Sequence, residues 1–197
     1  MEEIFLVLIS SALVNNIVVA HVIGTDPALV ATQRRDVARG ISCLMLILLP
    51  LTTVIASATS QLILIPLQLQ YLQTFVFVML IIMIVYGLRL WPKLWPKSWS
   101  GPFGKSGAEM FLPLAGVNVT VLGTLLLNQQ QDNNLFYSFI FGLGTAIGFA
   151  LMLALLTAIN TRLEMADVPA PFKGLSITLL TLGLISMAFL GFSGLVK

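Results

Sequence analysis

Two short stretches hold most of the residues able to do chemistry in an otherwise apolar chain. The first is Ile23-Gly24-Thr25-Asp26-Pro27, preceded by Asn15, Asn16 and His21; the second is Asn118-Val119-Thr120. A carboxylate in apolar surroundings takes up a proton, finds a charged partner or caps a helix. Gly24 can end one helical segment through a left-handed backbone. Asp26 can then accept from the free N–H groups of the next segment, and Pro27 suits its first position, where a missing N–H costs nothing. The stretch therefore reads as a helix stop followed by a helix start. The other reading is that Asp26 simply ends a span at the membrane surface, beside Arg34, Arg35 and Arg39. Asn15, Asn16, Asn118 and Thr120 either line a polar path near the bilayer midplane or form interhelical hydrogen bonds worth about 0.6–2 kcal/mol each. His21 reads more simply as an interhelical or interfacial residue.

The elements that position these residues follow from composition. Of 197 residues, 58% are hydrophobic and 9% charged, with a mean hydropathy of +1.00. A soluble domain carries about 25% charged residues, so this chain cannot cover a water-facing surface and reads as an all-α, polytopic membrane protein. Its six candidate spans run over about 4–24, 37–57, 72–90, 110–127, 135–159 and 175–196, with connections too short for a soluble domain. The whole chain, 1–197, is expected to form a single integral membrane domain.

With six alternating spans, Arg34, Arg35, Arg39, Arg89, Lys93, Lys97, Lys105, Arg162 and Lys173 fall on one side and only Lys197 on the other. Cytoplasmic loops carry the excess of Lys and Arg, so both termini are expected to be non-cytoplasmic. The acidic start Met1-Glu2-Glu3 does not resemble a secretory signal, which leaves insertion to the first span itself. Trp91-Pro92-Lys93 and Trp95-Pro96-Lys97 read as an interfacial anchor rather than a docking site. The net charge of +2 says nothing about nucleic acid, but the positives form no aromatic-laced patch, so no nucleic-acid partner is expected; Cys43, the one cysteine, can form neither an internal disulfide nor a zinc site of the usual spacing.

Three spans per half require that related halves be inverted, about 1–100 against 101–197. Ile65-Pro66 precedes span three as Val168-Pro169 precedes span six, and Val14-Asn15 is echoed by Val117-Asn118. Spans one and four are both expected to be interrupted, by Gly24–Pro27 and by Pro113 and Gly116. Broken helices in equivalent positions of inverted halves point to a functional centre near the midplane. Apart from Asp26 and Glu109, no carboxylate lies near the interrupted spans, and none lies mid-span in the other four. A pump or antiporter working alone would show a buried acidic relay.

Several stretches resemble a known family. Ala166-Asp167-Val168-Pro169-Ala170-Pro171-Phe172-Lys173-Gly174 and Met187-Ala188-Phe189-Leu190-Gly191-Phe192-Ser193-Gly194-Leu195-Val196 look like the C-terminal region of the RnfA-type subunits of the Rnf/Rsx ion-translocating oxidoreductases, relatives of NqrD and NqrE. Leu13-Val14-Asn15-Asn16, Leu64-Ile65-Pro66-Leu67, Leu112-Pro113-Leu114 and Val121-Leu122-Gly123 extend the resemblance along the chain. It implies six helices in two inverted halves, with helices one and four broken, in the bacterial inner membrane. It also implies pairing with an opposite-topology, RnfE-like subunit, beside further subunits carrying flavin and iron–sulfur centres. The implied activity is electron transfer coupled to sodium or proton movement, as part of an oxidoreductase complex and with no active site of the chain's own.

In that family each broken helix carries a cysteine, as Leu-Gly-Leu-Cys-Pro and Asn-Cys-Ala-Val-Leu-Gly, and two cysteines from each partner hold a shared [2Fe–2S] cluster. Here Asp26 and Val119 stand at those positions. Such iron is held by thiolates, with histidine the familiar substitute. The expectation is therefore a subunit of an Rnf-like complex that lacks the shared cluster. The alternatives are a stand-alone transporter or channel on the same fold and a purely structural subunit.

Overall fold

The computed structural model describes residues 2–20, 35–90, 118–131, 134–163 and 165–191, and among these every regular element is a helix. Helix α1 (Glu2–Ile9) continues into a π-helical turn, Ser10–Val14, and α2 is Ile17–Ala20. Helix α3 (Arg35–Thr59) also ends in a π-helical turn, Ser60–Leu64. Helices α4 (Gln73–Leu90), α5 (Val119–Gln130), α6 (Leu135–Leu163) and α7 (Leu175–Leu190) follow. Three stretches among the described residues are long and apolar enough to cross a bilayer: Ala38–Leu64, Gln70–Leu88 and Leu135–Leu163. They correspond to spans two, three and five. Spans one, four and six run on into residues outside the described set.

Helices α3 and α6 form the central pair, and the rest pack around them in a repeated pattern. The α1 helix with its π-turn rests on α6, and α2 rests on α6 as α5 rests on α3. The α7 helix touches α2 and α6, as α4 touches α5 and α3. Splitting the chain between α4 and α5 thus sets α2, α3 and α4 against α5, α6 and α7 with matching neighbours. Met45, Leu48, Phe77, Phe149, Met152 and Leu156 are fully buried along this axis. Threonines enter the same core because each hydroxyl donates to the carbonyl one turn earlier: Thr52 to Leu48 (2.8 Å), Thr124 to Thr120 (2.7 Å) and Thr157 to Leu153 (2.7 Å). Without such a partner a buried hydroxyl would carry a desolvation cost.

The glycines of α6 are close-approach positions. A Cβ on Gly144 would collide with the Ser11 side chain, and one on Gly148 would lie 2.6 Å from the Ala12 carbonyl oxygen. Gly142 meets Thr53 and Pro50 of α3 in the same way. Small residues commonly mark close helix approach in membranes, and by residue type alone Gly183 and Gly191 in span six would be expected to do the same. The structure differs: among the described residues nothing lies close to Gly183, and Gly191 meets only the Ala188 carbonyl one turn back. Gly194 lies outside the described residues.

Candidate functional site

The site is built around two helix starts. In the first span the helix stops at Asn15, whose backbone leaves the helical region (φ −103°, ψ 41°) while its N–H still donates to the Ser10 carbonyl at 2.6 Å. Asn16 then begins α2. Its Oδ1 accepts from the Val18 N–H at 3.1 Å, and its Nδ2 donates to the carbonyls of Ala12 and Gly148, both at 2.9 Å. One fully buried side chain thus closes the broken end, opens the next segment and ties both to α6.

The second start has the same form. Asn118 is extended (φ −72°, ψ 115°) and caps α5, accepting at Oδ1 from the Thr120 N–H (2.9 Å) and hydroxyl (2.6 Å). Its Nδ2 reaches toward the Met45 sulfur on α3 at 4.0 Å. Met45 on α3 thus serves Asn118 as Gly148 on α6 serves Asn16. The segments that the two asparagines open, α2 and α5, pack against one another.

The structure therefore brings Asn16, Asn118 and Thr120 together in the buried centre. Asn15 stands apart: it is exposed, and its Nδ2 donates to Ser10 Oγ at 3.3 Å. The sequence matched Val14-Asn15 to Val117-Asn118, whereas the residue with the capping role of Asn118 is Asn16. A break not expected from the sequence thus lies ten residues before Asp26. His21, Asp26, Glu109 and the Gly24–Pro27, Pro113 and Gly116 breaks lie outside the described residues.

A buried polar knot was not anticipated. Asn128 Nδ2 donates to Ser57 Oγ (2.9 Å) and Ser138 Oγ (3.0 Å), and the two serines share a 2.7 Å hydrogen bond. Gln129 Nε2 donates to Ser60 Oγ at 2.7 Å, which fastens the end of α5 to the π-turn of α3. Nothing in the linear spacing relates Ser57 to Asn128; only the packing of α3, α5 and α6 does.

The residues present do not fit a thiolate-held cluster. Val119 occupies the first helical position of α5, is 55% exposed and has no donor atom. Cys43 is a half-buried residue of α3, and no group of three His, Cys, Asp or Glu side chains gathers among the described residues.

Comparison with known proteins covers the chain end to end. A family model described as "Rnf-Nqr subunit, membrane protein" matches residues 4–196. A protein of Edwardsiella ictaluri is 40% identical over 197 residues, all of both chains, and one of Pseudoalteromonas translucida is 41% identical over the same extent. A Vibrio cholerae protein is 38% identical, again over the full length of both. All three carry the name of an ion-translocating oxidoreductase complex, each as its A-type subunit.

Proposed function

The chain belongs to the Rnf-Nqr family of membrane proteins, and from that premise we propose that it is a multi-pass subunit of an ion-translocating oxidoreductase complex. The carrying observation is the end-to-end match, at about 40% identity, to proteins named as the A-type subunit of such a complex. In this reading the chain crosses the bacterial inner membrane six times in two inverted halves, with both termini non-cytoplasmic. The neighbour pattern shared by the two sets of helices and the nine-to-one distribution of Lys and Arg support it. Its partners are subunits bearing flavin and iron–sulfur centres, together with an opposite-topology, RnfE-like membrane protein. The chain takes part in coupling electron transfer to the movement of sodium or protons, and has no active site of its own.

It supplies no ligand to a shared [2Fe–2S] cluster, because Val119 has no donor and Asp26 replaces the other thiolate. That observation also favours a second reading, in which the chain serves the ion path or assembly while electrons cross elsewhere. The test is to purify the complex through a tag on Lys197, identify its redox subunits, and record the EPR spectrum of the reduced sample before and after Asp26→Ala. Redox partners with an unchanged spectrum are expected. A [2Fe–2S] signal abolished by the substitution would overturn the ligand-free reading. Absence of redox partners would transfer the chain to the stand-alone transporter class.

A further inference from the structure

Helix α4 turns most of its surface away from the bundle. Only 11% of the apolar window Gln70–Leu88 is buried, against 50% of Ala38–Leu64 and 56% of Leu135–Leu163. Phe77 and Ile81 are buried, whereas Phe75, Met79, Ile82 and Met83 are exposed. We infer that this outward face of α4 lies directly against the acyl chains of the bilayer, with no other protein helix on it, and that Tyr71 and Tyr86 hold it at its depth. The inference goes beyond the function proposed above and needs only the membrane family.

The side chains select the occupant. Counted at about 3.6 residues per turn, Tyr71, Phe75, Met79, Ile82, Met83 and Tyr86 share an arc of about 120° that leaves out Phe77 and Ile81. Membrane helices hold one another through close approach at Gly, Ala, Ser or Thr and through hydrogen bonds between polar side chains. This face provides neither. Every residue from Phe75 to Val85 is apolar and none is small, while Thr74 and Gly87 stand at the two ends. Long apolar side chains would hold a neighbouring helix off, whereas acyl chains adapt to them.

The tyrosines carry the second argument. Tyr71, in the 3-10 turn Gln70–Leu72 that leads into α4, is 80% exposed, and Tyr86 is 61% exposed. Fifteen positions separate them, which is about 22 Å along the axis. In a hydrocarbon core about 30 Å thick, each then sits within about 4 Å of a boundary. Tyrosine gathers there because its ring is apolar and its hydroxyl is wet. Helix α7, the counterpart of α4, lacks this pattern. It carries no tyrosine, and its exposed residues include Ser176, Gly183 and Ala188.

The experiment puts the photoreactive residue benzoylphenylalanine in place of Met79 or of Ile82 in the full chain, irradiates native membranes and weighs the purified products. The expected product is the single chain with its mass raised by one phospholipid. A cross-link to another polypeptide, to a second copy or to another segment of this chain overturns the inference, and so does the absence of a lipid adduct at both sites. The probe is bulky, so Met79→Ala and Ile82→Ala give a second measurement. Proteins that co-purify with the wild-type chain should be recovered within about twofold from both variants, and a loss of about tenfold overturns the inference. Redox subunits in the same preparation report on the broader role separately. Their absence leaves the lipid contact standing, and a protein cross-link at Met79 leaves their role standing.

Discussion

Adjacent amides at positions 15 and 16 do different work, although the sequence makes them twins. Asn16 is fully buried, with a cap to Val18 and two donor bonds to carbonyls of the first span and α6. Asn16→Ala removes all three and leaves the Gly148 carbonyl without that donor. The loss of a cap costs about 0.5–2 kcal/mol, and interhelical bonds in membranes average about 0.6 kcal/mol each. The variant should therefore lose about 1–3 kcal/mol in reversible unfolding from bicelles. Asn15→Ala gives up one long, exposed bond and should lose less than about 1 kcal/mol. A ranking with Asn15 above Asn16 would contradict the pinning role. That polar side chains enter the first span was legible from two asparagines in an apolar run, but the break beside them was not. Which of them faces inward was not, because it depends on a π-turn whose extra residue rotates everything after it.

Among the elements, α6 is the one whose sequence carries its packing most openly. Its glycines at 142, 144 and 148 are the places where α3 and the broken first helix come closest. Gly183 of α7 looks the same on paper, yet it meets nothing among the described residues. The difference lies in neighbours, which spacing alone does not reveal. Gly148→Ala forces its new methyl against a backbone carbonyl and should cost about 1–3 kcal/mol. Gly183→Ala gains helix propensity of about 1 kcal/mol and should leave the purified chain as stable or more so. The same thermal-melt series checks both. A lower stability in Gly183→Ala would show a close contact on that face. Span limits were read well where a helix is continuous, as in α4 and α6, whereas the break at Asn15 escaped notice because hydropathy does not register one.

For the molecule as a whole, the distribution of basic residues fixes the expected orientation, and labelling can check it. Single cysteines at Lys93 and Lys173, in a background with Cys43→Ser, should react with a membrane-impermeant maleimide only in inside-out vesicles. One at Lys197 should react only in right-side-out cells. A Lys173 variant that reacts from outside would break the alternation on which the six-span reading depends. The membrane class, the helical architecture and the end-to-end kinship were all legible without coordinates, since they rest on composition and contiguous motifs. The knot of Ser57, Asn128 and Ser138 was not, because α3, α5 and α6 bring them together only after folding.

The outermost helices carry a last consequence, which concerns how the chain is made. Among the described residues, only Phe77 and Ile81 are buried along α4, and only Thr178 and Leu182 along α7. Both are apolar, but little among the described residues holds them in the bundle. During synthesis α3 and α6 should clasp first, since they pack against each other most extensively, while α4 and α7 should join late and loosely. Until lipid or a neighbouring protein covers them, these two helices are where membrane quality control finds a purchase. The lifetime of newly made chains is then set by the supply of their neighbours.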